Sequence, residues 1–314
     1  MNIPVVDLNQ YFEGNENEKI SFAAHLGKAF EEVGFVSVRN HGIPADLISN
    51  LYQAVEQFFS LPEDNKRTYE IPGLAGQRGY TSFGKEHAKG SDAPDLKEFF
   101  QFGQMVPHGV ASPEDYPRNV SVGEVDAFND LFINAYRSFE KSGSALLSAI
   151  AIHLGIGENY FNPHILYGNS ILRAIHYPPI TQEPKSAIRA EQHEDINLIT
   201  LLVGASADGL EILSKENEWL PVKAGPDEIV VNVGDMLQRL TNDRLKSTTH
   251  RVVNPPREKW HTSRYSIPFF LHPVSQMSLA CLDSCIAEDR PKLYDDYTAG
   301  QYLDERLREI GLKK

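Results

Sequence analysis

Cysteine is nearly absent. Cys281 and Cys285, separated by three residues, are the only two in 314. Two thiols cannot build a disulfide framework, and a structural zinc site needs about four ligands from a second pair that does not exist here. Both read as ordinary reduced thiols. Basic residues are also scarce, 30 against 43 acidic, for a formal net charge of −13. Nucleic-acid binding rests on neutralising phosphates, so that balance argues against it while leaving room for a local basic pocket. No stretch of about 18 apolar residues occurs, so no membrane span is expected. The opening MNIPVVDLNQ has neither a basic start nor a long apolar run. No signal peptide is visible in it, and a soluble cytoplasmic protein is expected. Internal repeats and low-complexity linkers are missing too.

What is present is a well-packed globule with 41 % apolar residues. The first half reads mainly helical after a short strand, IPVVDL. EKISFAAHLGKAFEEVG carries Ile20, Ala23, Ala24, Leu26 and Phe30 at helical spacing. GFVSVRNHG alternates with period two and ends in turn residues. PADLISNLYQAVEQFFSL reads as a helix with Pro44 near its first turn. Residues 72–95 are rich in Gly, Pro and polar residues, and LKEFFQFG reads as a strand after them. A loop this long in a compact chain is often functional. It is the natural lid, with Gln77, Arg78 and Tyr80 as candidate substrate contacts. Residues 124–154 form the longest helical pattern, striped with Phe128, Leu131, Phe132, Ala135 and Phe139, and Gly143 is a candidate interruption.

The second half changes character. ILRAIHYPP, NLITLLVG, GLEIL, EIVVNVGDMLQRLTN, KSTTHRVVN, RYSIPFFLHP and MSLACL are short β-rich runs split by turns. Such spacing suggests a sandwich or barrel with helices packed on it. TAGQYLDERLREIG closes as a helix, with Thr298 as N-cap and Gly311 as C-cap.

The chemistry gathers around EQHEDINLIT, residues 191–200. Residues i and i+2 of a strand face one side. If 191–195 is extended, His193 and Asp195 point the same way. His250, in KSTTHRVVN, is the candidate third ligand, read as about two strands downstream in a meander. Two His and one carboxylate on one face leave three positions of an octahedral ion open, the arrangement of non-haem Fe(II) oxygenases. The spacing alone is weak: 11 × 43/314 gives about 1.5 His-x-acid pairs by chance. A solvated turn before a strand competes with the metal reading. His25, His41, His87, His108, His153, His164, His176, His261 and His272 take structural or surface roles.

RYSIPFF places Arg264 and Ser266 two apart on one face of a strand. A guanidinium beside apolar surface wants an anionic partner, and the hydroxyl can donate to the same anion. Tyr177, in AIHYPP, is a candidate further donor. A local ion pair and a half-buried aromatic are the competing readings.

HEDINLITLL, STTHRVVN and RYSIPFFLHP follow one another in that order, with GFVSVRNHGIP in the first half. This set resembles the iron(II)- and 2-oxoglutarate-dependent dioxygenases of the isopenicillin N synthase-like family, over nearly the whole chain. The resemblance implies iron ligands His193, Asp195 and His250, which are also the catalytic residues. It implies that Arg264, Ser266 and Tyr177 bind the distal carboxylate of 2-oxoglutarate. It implies a mainly β fold with helices (α+β), a double-stranded β-helix (jelly-roll) core buttressed by N-terminal helices and a C-terminal helix. On that resemblance residues 1–314 are expected to form a single oxygenase domain, with 1–120 its N-terminal portion and 165–285 its catalytic core. Phe35, Asn40, His41 and Gly42 match an N-terminal signature that looks structural.

The implied activity is oxidation of a small molecule by hydroxylation, desaturation or cyclisation. Its cofactors are Fe(II), 2-oxoglutarate and O₂, with ascorbate a candidate reductant, and it releases succinate and CO₂. Ile175-His176-Tyr177 departs from the Asn-x-Tyr of many plant members. The penicillin-forming branch, which uses no 2-oxoglutarate, is the alternative, although its C-terminal glutamine ligand is not evident in REIGLKK. A zinc hydrolase with Glu194 as base and a non-catalytic jelly-roll module are more distant readings.

Overall fold

A computed structural model describes residues 3–309 other than 75, 87–94, 108, 110–116, 185 and 226. Part of the expected lid at 72–95, with His87, lies outside the described residues, as do His108 and Gly311. The chain opens with β1 (Val5–Asp7), α1 (Asn9–Phe12), α2 (Glu16–Glu32), β2 (Phe35–Arg39), α3 (Ala45–Phe59) and α4 (Glu63–Arg67). Then come β3 (Gly79–Thr81), β4 (Glu98–Gly103), α5 (Phe128–Leu154) and α6 (Asn162–Ile165). The β-rich half holds β5 (Ile171–Tyr177), β6 (Ala190–His193), β7 (Ile199–Val203), β8 (Leu210–Leu213), β9 (Trp219–Pro221) and β10 (Glu228–Val233). It continues with α7 (Asp235–Leu240), β11 (His250–Val252), β12 (Arg264–Ser266) and β13 (Pro268–Leu271), and α8 (Ala299–Glu309) closes it.

The strands form two sheets. The larger runs β1-β2-β10-β7-β13-β5-β4-β3, with β12 also on β5; the smaller runs β6-β11-β8-β9. Period-two alternation sends each strand of the larger sheet two ways. Ile229, Val231 and Val233 of β10, Ile199 and Leu201 of β7, and Leu172 and Ala174 of β5 pack against α2, α3 and α5 in the main core. The opposite set faces the smaller sheet. Ile175, Tyr177 and Phe99 meet Ala190 and Val252, while Phe35 and Val230 meet Ile212. The result is a jelly roll with helices on its outer face and a cavity between its sheets.

Several sequence expectations change. Gly143 does not interrupt α5: a Cβ there would lie 2.5 Å from Leu271 Cδ1, so glycine lets the helix approach β13 closely. EIVVNVGDMLQRLTN is a strand followed by helix α7, because Gly234 ends the ladder and the buried Met236, Leu237 and Leu240 recur at helical spacing. MSLACL makes only an isolated bridge, Ser278 to Thr298. Thr298 does start α8: its Oγ1 accepts from the Gln301 N–H at 3.3 Å, and Gln301 Oε1 accepts from the Thr298 N–H at 2.9 Å. The NHG signature is a turn. Asn40 and Gly42 take positive φ, and the His41 carbonyl accepts from Ser142 Oγ of α5 at 2.5 Å.

Candidate active site

His193 is the last residue of β6, and His250 the first of β11. The two strands are antiparallel neighbours with His193 directly opposite His250, which puts both rings on one face. Four strands and α7 separate them in sequence, so the partnership comes from jelly-roll closure and not from the meander expected. Asp195 lies just past the end of β6. Its Oδ1 is 3.9 Å from His193 Nε2 and 3.7 Å from His250 Nε2. One ligand atom from each residue falls within 4.8 Å of the others, the only such trio among the described residues.

The hydrogen bonds around this trio decide what it can hold. His193 Nδ1 lies 2.6 Å from the Glu191 carbonyl, and His250 Nδ1 3.1 Å from the Thr248 carbonyl. A carbonyl only accepts, so each Nδ1 carries the proton and each Nε2 offers its lone pair to the shared point. Asp195 Oδ2 accepts from Thr200 Oγ1 at 2.6 Å and Asn232 Nδ2 at 2.8 Å, leaving Oδ1 for the same point. Burial raises the Asp195 carboxyl, but the neighbouring His250 and His193 and the two hydrogen bonds outweigh it, and the group stays below its ordinary value. Burial first, and then His250, push His193 down, so its ring is neutral at neutral pH. Two imidazole nitrogens and one carboxylate oxygen suit a divalent ion of intermediate hardness. All three line a cavity of about 240 Å³.

The residues of the expected anion site come together on β5 and β12. β12 pairs with β5 so that Arg264 lies opposite Tyr177 and Ser266 opposite Ile175, all lining the cavity. The Arg264 guanidinium sits over the Tyr177 ring at 5.0 Å, and its Nε donates to the Ala207 carbonyl at 3.0 Å. Its Nη1 is buried with no hydrogen-bond partner among the described residues. A buried guanidinium edge left open in this way suits a carboxylate.

Of the candidate substrate contacts, Gln77 and Arg78 line the cavity and Tyr80 does not. Tyr80 is buried, and its hydroxyl donates to Glu98, which also binds Lys66 and His176 behind β5. Alternation puts Tyr80 on the helix side of the sheet. The sequence reading missed other wall residues. The Arg173 guanidinium lies over the rings of Phe99 at 4.2 Å and Phe270 at 5.2 Å, and its Nε donates to Gln101 at 2.9 Å. Lys97 binds Glu86 at 3.0 Å and Asp95 at 2.8 Å. Asp95 in turn accepts the Glu191 N–H at 3.0 Å and so braces β6 beneath His193. His272, read as structural, lines the cavity as a neutral ring that burial pushes down to about 4. Strand parity from Tyr177 back to Arg173 was the available signal. Leu303 and Leu307 of α8 also line the cavity, and Arg306 is fixed by Asp235 at 3.3 Å.

Two family models match the chain. The model for the non-haem dioxygenase in morphine synthesis N-terminal region matches residues 3–122, and that of the 2OG-Fe(II) oxygenase superfamily matches residues 168–273. The proline hydroxylase buaE of Petromyces alliaceus is 33 % identical, over 98 % of this chain and 99 % of its own. Among solved structures, a Caulobacter crescentus protein ascribed to the 2OG-Fe(II) oxygenase family is 39 % identical with a TM-score of 0.87, covering 98 % of this chain and 99 % of its own. A full-length Neurospora crassa protein solved in complex with alpha-KG is 31 % identical with a TM-score of 0.86, covering 98 % and 95 %. The same Neurospora crassa protein has been solved with alpha-KG and thymine.

Proposed function

We propose a division of labour among the cavity residues from one premise: the chain belongs to the 2OG-Fe(II) oxygenase superfamily. It is a non-haem iron(II)- and 2-oxoglutarate-dependent oxygenase acting on a small molecule. His193, Asp195 and His250 hold the iron, and Arg264, Ser266 and Tyr177 take the far carboxylate of 2-oxoglutarate. Bound iron and the 2-oxo acid together supply the O₂ activation that the side chains lack. The protein's part is to orient and enclose. Arg264 and Ser266 fix which way the 2-oxo acid lies, and the carbonyls of Glu191 and Thr248 keep both Nε2 atoms bare. Leu303 and Leu307 add apolar surface to the cavity wall and so help to exclude water.

The substrate is small and polar. The cavity is compact, and Arg78, Gln101 and Arg173 carry hydrogen-bonding groups on its wall. Thymine, held with alpha-KG in the Neurospora crassa protein, is a molecule of that kind. Gln77 and Arg78 contact the substrate. Residues 165–285 are the catalytic core and 1–120 its buttress within one oxygenase domain. The acidic balance disfavours a nucleic-acid partner, and no helix among the described residues is long and apolar enough to cross a membrane.

The convergence of one ligand atom from each of His193, Asp195 and His250 carries the assignment. The test is succinate and CO₂ release from 2-oxoglutarate by wild type and His193→Ala, beside an anaerobic Fe(II) titration of both. Iron-dependent turnover and iron affinity should both fall in the variant. Equal turnover in the two proteins rejects the residue assignment.

A further inference from the structure

Arg189 immediately precedes β6 and is 2 % exposed, among the most deeply buried large side chains of the molecule. Its guanidinium lies over the Tyr177 ring at 5.9 Å, on the same ring that carries Arg264 at 5.0 Å. The hydrogen bond recorded for it runs from Nη2 to the Thr262 carbonyl at 3.2 Å, and its buried Nε has no hydrogen-bond partner among the described residues. Among the described residues neither Arg189 nor Arg264 has a carboxylate within ion-pair distance. Burial, and then the Arg264 charge, push Arg189 down to about 10, so it is still protonated at neutral pH.

Two buried like charges around one ring are costly when nothing neutralises them. Two other cations lining this cavity are treated differently: buried Lys97 binds two acids, and half-buried Arg173 binds Glu86. Among the described residues no carboxylate supplies the counter-charge at Tyr177, which leaves that place to a ligand. We propose that Arg189 is a positioning residue of the cosubstrate site, a second buried positive charge that selects a 2-oxo acid with a distal carboxylate. Arg264 makes the contact, and Arg189 acts from behind Tyr177 through the low-dielectric interior. The proposal rests on the assignment of Arg264 to that carboxylate.

The test compares two 2-oxo acids on anaerobic, Fe(II)-loaded protein, following the visible charge-transfer band. 2-Oxoglutarate has the distal carboxylate and 2-oxobutyrate lacks it. Arg189→Gln should raise the Kd for 2-oxoglutarate about ten-fold and that for 2-oxobutyrate less than about two-fold. Arg189→Lys, which keeps the charge, should hold most of the preference. Without ligand, Arg189→Gln should melt at or above the wild-type temperature, because it removes an unneutralised charge.

Equal changes for both acids, no change for either, loss of the preference in Arg189→Lys, or a clear fall in the ligand-free melting temperature would each overturn the proposal. Arg264→Gln separates it from its premise. If that variant loses the preference and Arg189→Gln keeps it, only the role of Arg189 falls. If both keep it, the reading of Arg264 falls as well.

Discussion

Replacing Asn232 by Leu removes one of the two donors that hold Asp195 Oδ2, at 2.8 Å, and leaves Thr200 Oγ1 at 2.6 Å. The two side chains branch alike at Cγ, so the main loss is one hydrogen bond to a buried charge, about 1.5–3 kcal/mol. Two consequences follow from the same loss. The carboxylate turns more freely and Oδ1 is less well aimed, which should weaken divalent-metal affinity about 10–100-fold. The carboxyl pKa also rises, because a hydrogen bond to the charged form held it down. Metal binding requires the deprotonated acid, so affinity should be lost at a higher pH than in wild type as the solution is acidified.

The assay is an anaerobic Fe(II) titration across pH, read both by ligand-induced absorbance and by thermal stabilisation. Wild-type affinity with an unchanged acid limb would refute the claim that Asn232 supports the ligand set. A weakened affinity with no pH displacement would show that aim matters and proton competition does not.

Acid stability should depend on Glu86, whose carboxyl is held down to about 2 by Lys97 and Arg173 against the opposing effect of burial. A depressed folded pKa gives stability that is present above the unfolded value of 4.5 and lost as pH falls toward 2. The gain is at most about 3 kcal/mol, so Glu86→Gln should flatten the acid limb of an unfolding curve. Gly143→Ala would set a Cβ against Leu271 and should cost about 1–3 kcal/mol, read as a lower urea midpoint at unchanged m. Tyr80→Phe should lower stability through its lost bond to Glu98 and leave the substrate KM unchanged, since Tyr80 lies outside the cavity wall. A raised KM at wild-type stability would return Tyr80 to the substrate side.

Much of the core was legible because strand parity and apolar period are local properties. NLITLLVG and ILRAIHYPP announce β7 and β5 by composition alone, and the same parity put Arg264 and Ser266 on one face. The 124–154 stripe announced α5, although the pattern could not tell that Gly143 is a packing glycine. Whether a small residue ends a helix or admits a neighbour depends on Leu271, far along the chain. α7 was hidden because the alternating residues of β10 run into it without a proline. The sequence placed His193 and Asp195 together by spacing.

His250 was a ligand candidate from its place in another β-like run and by resemblance. What joins it to His193 is the pairing of β11 with β6 across four intervening strands, and no local pattern encodes a long-range register. Tertiary packing likewise decided that Tyr80 faces helices, that Arg173 and His272 face the cavity, and that Arg189 shares a ring with Arg264. Side-chain identity fixes which groups could serve an ion or a carboxylate. Only closure of the two sheets fixes which of them meet, because burial and charge pairing are properties of neighbours in space.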